Sequence, residues 1–340
     1  MDQQWKSSSN DKHSDHIMTA YYDMMSWNVY QDIAVFYKVL PKSGKVLPTD
    51  INGIAYYLKE EGIIVEQDSG LYAITNIGAI LFAKKLSSFS RLERKAVRVV
   101  QYQGNNRMNI LKEYVGSKGY VIEFNELLMY IEALLPSCEV IQGAMRVNIS
   151  SYPSIALREA IANALIHQDF SITGTGVIIE IFSNRIEITN PGRPLVDIYR
   201  IVDNPPKSRN EKLAALMRRL RMCEELGTGW DKIIISCELQ QLPTPHIDIY
   251  EENTKVTLFS KVDFFDLSLQ DKLWACYMHS CVKYTQGEFL TNSSLRARFG
   301  LEEKSSASIS RLIKEACDKK MIKKLEDTAP RHTKYIPIWA

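Results

Sequence analysis

Residues 153–167 read Pro-Ser-Ile-Ala-Leu-Arg-Glu-Ala-Ile-Ala-Asn-Ala-Leu-Ile-His, and the rest of the chain is read outward from this stretch. Leu157, Ile161, Ala164 and Leu165 fall on one apolar stripe at helical spacing, behind an opening proline. The same helix puts Glu159, Asn163 and His167, at i, i+4 and i+8, on roughly one side. An amide in so apolar a stretch needs hydrogen-bond partners. A metal-held phosphate supplies them, and a carboxylate beside it can orient or deprotonate a water. A structural polar ladder fits the same spacing, so the helix alone does not fix the chemistry.

Downstream, Val177–Phe182 and Arg185–Thr189 are rich in β-branched residues. They read as adjacent antiparallel strands with a buried face. Asn190-Pro191-Gly192-Arg193-Pro194 ends the second strand. An amide there can meet a base edge, and glycine permits close approach. Residues 195–210 read as a long connection in which Lys207 and Arg209 can reach anions. Glu211–Leu220 reads as a basic helix. Gly227-Thr228-Gly229 precedes a further helix, Trp230–Gln240, where amides at a helix start can face phosphate oxygens. Strands are expected at His246–Tyr250 and Lys255–Phe259, and a boundary near residues 260–268.

Upstream, helices are expected over Asp50–Glu60, with Asp50 as cap, and over Tyr120–Leu135, which Pro136 ends. Ile63–Val65, Leu71–Ile74 and Ala96–Tyr102 read as strands, and Thr75-Asn76 caps a short apolar helix through Phe82. Arg91, Arg94, Lys95 and Arg98 form a basic cluster, read as a solvated face. Residues 1–25 read as a flexible tail.

After residue 268, helices at Gln270–His279, Thr291–Phe299 and Ser305–Lys320 precede a hairpin of Ile322–Leu325 and Tyr335–Trp339. That order is the order of a winged helix-turn-helix. Ser306, Ser308, Arg311 and Lys314 on the third helix, with Lys323 and Lys324 in the wing, are the candidate nucleic-acid contacts. The same fold can instead serve as a dimerisation or protein-docking module.

The chain has 340 residues, 45% hydrophobic and 24% charged, values of a well-packed protein of two or three domains. A net charge of +2 confines any nucleic-acid surface to a local patch. No run of 18 apolar residues and no N-terminal hydrophobic region is present, so a cytoplasmic protein without a membrane partner is expected. The six cysteines lack Cys-x-x-Cys spacing and read as free thiols.

Residues 150–260 resemble the ATP-binding domain of a bacterial and archaeal family labelled transcriptional regulators or "RecG-related" helicases. The resemblance rests on Tyr152-Pro153, Ala156–Ala160, Asn163–Phe170, Arg185–Gly192, Arg209-Asn210 and Glu225–Trp230, in that order. It implies an α/β (α+β) fold, the sandwich of the gyrase, heat-shock chaperone, histidine kinase and mismatch-repair (GHKL-type) ATPases, with ATP and Mg2+ as cofactors. Glu159 would activate water and Asn163 would hold magnesium. Asn190 would hold the adenine end, Gly192 would line the pocket, and Gly227, Thr228 and Gly229 would meet phosphates beneath a closing lid. Two departures stand out: Asn190 replaces the usual Asp, and Pro194 the usual second glycine, so binding survives more easily than turnover. No Gly-x-x-x-x-Gly-Lys-Ser/Thr loop exists for a helicase motor. Residues 28–148 resemble the preceding AlbA-like (Schlafen-type) region through Thr75–Phe82, with its earlier part missing.

The resulting division is a tail (1–25), a partial AlbA-like domain (26–148), a GHKL-type domain (149–262) and a winged helix-turn-helix (268–340). The expected protein is an ATP-binding, DNA-binding regulator working as a dimer, in which Mg-ATP orders a lid and tunes the winged helix. The alternatives are a slow ATPase of a stress or anti-phage module acting on a protein partner, and a degenerate scaffold.

Overall fold

The computed structural model describes residues 51–68, 72–142, 145–220, 222–223, 229–326 and 333–340. The tail 1–25, Asp50, Leu71, Gly227 and Thr228 lie outside the described residues.

Helix α1 (Ile51–Glu60) leads into a short hairpin of β1 (Ile64–Glu66) and β2 (Tyr72–Ile74). Thr75 then caps α2 (Asn76–Phe82): its hydroxyl accepts from the Gly78 amide at 3.1 Å and donates to the Ile63 carbonyl at 2.9 Å. That double use ties the helix to the hairpin, and Ile77–Phe82 are all buried. β3 (Arg98–Tyr102), β4 (Ile110–Val115) and α3 (Tyr120–Leu134) follow, then a separate hairpin of β5 (Ser137–Gln142) and β6 (Met145–Ser150). The helix read first from the sequence is α4 (Ser154–His167). After it come β7 (Ile178–Ile181), β8 (Arg185–Pro191), α5 (Glu211–Arg219), α6 (Gly229–Leu239), β9 (His246–Tyr250) and β10 (Asn253–Phe259).

Six strands form one mixed sheet in the order β4-β3-β7-β8-β10-β9, in which only β3 and β7 run parallel. Its register produces the two faces. Val99, Ile179, Ile188, Val256 and Ile247 are lateral partners in one row, and all are buried. The next residues along, Val100, Glu180, Glu187 and Thr257, form the neighbouring row on the opposite face. There Arg107 binds Glu180 and Glu187 at 2.6 and 2.9 Å, and Arg185 binds Glu187 at 2.6 Å. The apolar face packs against α4, whose Leu157, Ile161, Ala164 and Leu165 are buried in the same core. Truncating Ile161 there would cost about 2–5 kcal/mol. Among the described residues no helix is long and apolar enough to cross a membrane.

The C-terminal region consists of α7 (Leu269–Thr285), α8 (Asn292–Arg298), α9 (Ser306–Asp318) and a hairpin of β11 (Ile322–Lys324) and β12 (Tyr335–Pro337). Thr291 and Ser294 cap α8 reciprocally, each hydroxyl accepting the other's amide at 3.0 Å. Its core takes in residues from outside: Ile234 of α6, with Ile201 and Val202 packed against it. Polar contacts add to the joint. Trp274 donates Nε1 to the Pro245 carbonyl at 2.9 Å, and His279 of α7 meets Glu238 of α6 at 2.9 Å. Buried Arg298 of α8 donates to the Leu242 carbonyl and the Thr244 hydroxyl, both at 2.8 Å.

Some expectations need correction. Lys95 does not belong to a solvated basic face: it is 2% exposed, and its Nζ turns inward to the Ile172 carbonyl at 2.7 Å. Arg91, Arg94 and Arg98 are exposed as expected of that face, and Arg98 pairs with Glu113 at 2.7 Å. Strands β4, β5 and β6 are additional to the sequence reading, and α7 runs six residues beyond His279, to Thr285. Cys237, Cys276, Cys281 and Cys317 are free thiols.

Candidate functional site

A cavity of about 580 Å³ opens between α4, α5, the start of α6 and the edge of the sheet. Glu159, Asn163, Asn190, Gly192, Lys207 and Gly229 all line it, so six of the nine residues expected to hold nucleotide or metal, or to act on them, converge. Gly227 and Thr228 lie outside the described residues. Arg209 does not line the cavity.

One end is built on α4. Glu159 is 3% exposed, and Asn163 one turn later has its Nδ2 buried without a hydrogen-bond partner. Gly229, at the start of α6, faces both: a Cβ there would lie 3.2 Å from Glu159 Oε2 and 3.4 Å from Asn163 Nδ2. The glycine thus keeps open a space with an acid, an amide and a helix N-terminus around it, the donor and acceptor set that a metal-bound phosphate would use. The orphaned Asn163 Nδ2–H is a donor that fits a phosphate oxygen, whereas a metal would take the amide Oδ1.

The other end is the tip of β8. Asn190 is buried, pairs laterally with Thr254 of β10, and donates Nδ2 to the Pro191 carbonyl at 3.1 Å. Its carbonyl oxygen is left as an acceptor. Thr254 donates to the Gly192 carbonyl at 2.6 Å. Gly192 has φ +105°, and a Cβ there would meet the Asp169 amide nitrogen at 3.0 Å. No side chain fits that conformation and that contact together.

The residues between explain the motif His167-Gln168-Asp169 and Arg209-Asn210 physically. Asn210 donates Nδ2 to the carbonyls of Ile166 and Gln168, at 2.7 and 2.8 Å, closing the C-terminal end of α4. Arg209 pairs with Asp169 at 3.0 Å and donates to the Arg193 carbonyl at 2.9 Å. Its guanidinium fastens the long connection to the tip of β8 and to α4. Gln168, fully buried, donates to the Tyr120 hydroxyl at 2.8 Å, which donates to the Lys95 carbonyl at 2.8 Å. These contacts position the cavity walls rather than line them.

Electrostatics follow from burial. Burial first, and the Arg209 cation second, lower His167 to about 4, so its ring is neutral near pH 7. Burial lowers Lys95 to about 8 against the pull of Asp169. For Asp169 burial acts upward, but the Ser171 hydrogen bonds with the Arg209 and Lys95 charges outweigh it and hold the carboxyl below its usual value.

Among the lining residues outside the sequence-derived set are Arg218, Trp230 and Thr254. Thr254 is found only through strand register, opposite Asn190. Arg218 was one charge in a basic helix. The candidate nucleic-acid residues lie far along the chain, on α9 and β11. Arg311, Lys314, Lys323 and Lys324 are exposed. Ser306 and Ser308 are half-buried, and Ser306 is already tied to Asn292 of α8: its hydroxyl donates at 3.2 Å and its carbonyl accepts at 2.9 Å.

Residues 174–258 match the family described as "Putative ATP-dependent DNA helicase recG C-terminal", an ATPase-type domain covering about a quarter of the chain. Asn190, Gly192, Lys207 and Gly229 fall inside that segment, whereas Glu159 and Asn163 precede it. No curated protein matches the chain. The fold is similar to the crystal structure of the DIP2311 protein from Corynebacterium diphtheriae, with a TM-score of 0.55 and 18% identity over 83% of this chain. The chain spans 56% of that protein's length.

Proposed function

We propose that this chain is a nucleotide-responsive, DNA-binding regulator that holds Mg-ATP in the cavity between α4, α5 and α6. The observation that carries the reading is the convergence of Glu159, Asn163, Asn190, Gly192, Lys207 and Gly229 on one cavity, within reach of an ATPase-type segment. Asn163 and the phosphates would hold magnesium, with Gly229 at the helix start facing the phosphates. Asn190 would present its carbonyl oxygen to an exocyclic amino group of the base. Bound Mg-ATP supplies a polarised terminal phosphate, and Glu159, 3% exposed beside it, is placed to orient the attacking water. Turnover would be slow, since a neutral Asn190 holds the base without charge.

The C-terminal helices and hairpin would act as a winged helix, offering Arg311 and Lys314 of α9 with Lys323 and Lys324 of the wing to DNA phosphates. Tyr277 of α7 donates its hydroxyl to the Tyr199 carbonyl at 2.5 Å, and Arg200 stacks on Trp339 at 4.2 Å. The segment 194–208 that walls the cavity is therefore held by the C-terminal unit, which supports a lid whose closure reaches the DNA-binding face. The 26–148 region, AlbA-like in this reading, and a dimeric state complete the proposal.

Calorimetric titration with ATP, ADP and GTP, with and without magnesium, tests the site. Fluorescence anisotropy with mixed-sequence duplex DNA across a salt series, with and without Mg-ATP, tests the regulator. Magnesium-dependent ATP binding and a nucleotide-dependent DNA affinity are expected. No nucleotide binding would sink the reading of the cavity, and DNA binding unaltered by nucleotide would sink the coupling.

A further inference from the structure

Two cations of the cavity have no assigned role, Arg193, exposed on the connection, and Arg218. Arg218, half-buried on the last turn of α5, lines the cavity with Ala215 and Cys223. The arginines around it are committed elsewhere. Arg219 grips Glu61 with two nitrogens at 2.9 and 2.6 Å, Arg209 holds Asp169, and Arg158 donates Nε to the Met222 carbonyl at 3.3 Å. Among the described residues no ion pair or hydrogen bond engages the Arg218 side chain.

The cavity's two ends locate this unused charge. Asn190, Gly192 and Thr254 form the base end, and Asn163 and Glu159 face Gly229 at the other. Four residues after Arg218, the Met222 carbonyl accepts from Arg158 of α4, the helix that carries Glu159 and Asn163. Arg193 and Lys207, the remaining lining cations, sit on the connection fastened to the base end through the Arg209 bond to the Arg193 carbonyl. Ala214 and Ala215 keep the α5 wall thin beneath Arg218, and the Arg219–Glu61 pair pins the helix that carries it.

We propose that Arg218 binds the terminal phosphate of the nucleotide and sets the preference for triphosphate over diphosphate. This rests on the nucleotide reading of the cavity. A guanidinium fork matches a terminal phosphate, which has three non-bridging oxygens and the largest share of charge left after magnesium binds. A pinned helix presents it with little ordering cost. A diphosphate occupying the same base end ends one phosphate short of it.

The test is calorimetric titration of the full chain with magnesium and either the β,γ-imido analogue of ATP or ADP, for wild type, Arg218→Ala and Arg218→Lys. Wild type is expected to prefer the triphosphate. Arg218→Ala should lose about 10- to 100-fold in affinity for the triphosphate, the range of a charged hydrogen-bonded contact, and under about threefold for ADP. Arg218→Lys keeps the charge without the fork, is expected in between, and carries the test if the alanine variant does not fold. Equal losses for both ligands, or no loss for either, overturn the Arg218 assignment while leaving the nucleotide site standing. Absence of nucleotide binding by wild type overturns both.

Discussion

His167 gives the most exacting check on the electrostatics of the cavity. Its ring is lowered from 6.5 to about 4 in the folded protein, by burial and then by Arg209. A base whose folded pKa is depressed leaves the unfolded chain binding more protons between those two values. Stability is therefore whole above pH 6.5, falls as the pH drops, and levels off near pH 4. The full loss is about 3 kcal/mol at roughly 1.4 kcal/mol per pH unit. At pH 5 about 2 kcal/mol of it is already in force, since the unfolded imidazole is mostly charged while the folded one is about nine-tenths neutral. Asp231, which burial raises to about 6, acts in the opposite direction over the same window. Asp169 is lowered and titrates below it. Only the difference between wild type and His167→Gln isolates the ring. Urea unfolding of both at pH 7.5 and pH 5.0 measures it: the wild-type advantage should shrink by about 2 kcal/mol at the lower pH. An unchanged advantage, or an imidazole pKa above 6 by NMR, refutes the reasoning. A polyphosphate in the cavity should raise that pKa, so the same NMR titration with Mg-ATP also reports on the ligand.

Asn163→Ala should abolish magnesium-dependent nucleotide binding with little change in melting temperature, because it removes a donor that has no protein partner; calorimetry checks the first and thermal denaturation the second. Glu159→Gln should keep Mg-ATP binding while phosphate release in a coupled assay falls at least tenfold, as expected when a base is neutralised; equal hydrolysis would remove Glu159 from the chemistry. Asn210→Ala should cost about 2 kcal/mol in urea unfolding, from two hydrogen bonds to carbonyls at the end of α4, and should weaken nucleotide binding only through the loosened connection.

What was legible in the sequence was local. The α4 stripe, the Thr75 cap, the β7–β8 pair and the order of the C-terminal helices all announce themselves by periodicity or capping chemistry within a few residues. β4 did not: Ile110-Leu111-Lys112-Glu113-Tyr114-Val115 lies at the sheet edge, almost wholly exposed, so no buried face imposes an alternation on it. Lys95 misled because a basic run predicts solvent, and only the fold brings the Ile172 carbonyl to its Nζ. The site was legible where one helix or one strand end carries it, as with Glu159, Asn163 and Asn190. Thr254 and Arg218 enter through sheet register and helix placement, which no short window of sequence encodes.

The placement of Ile201 joins these levels. It lines the cavity and packs against the C-terminal core, two residues beyond the Tyr199 carbonyl that Tyr277 holds. Helix α6 makes a second link, with Gly229 at the Glu159–Asn163 end and Glu238 bonded to His279 of α7. A ligand that repositions either wall must then change contacts of the C-terminal unit, whatever that unit binds. Coupling of this kind is reciprocal: if nucleotide shifts DNA affinity by a given factor, DNA must shift nucleotide affinity by the same factor. Tyr277→Phe removes the bond to the Tyr199 carbonyl and the one its hydroxyl accepts from Trp339 at 3.1 Å, without touching either ligand site, so it should reduce both shifts together and leave each separate affinity nearly unchanged. A change in one shift without the other would place the coupling outside this joint.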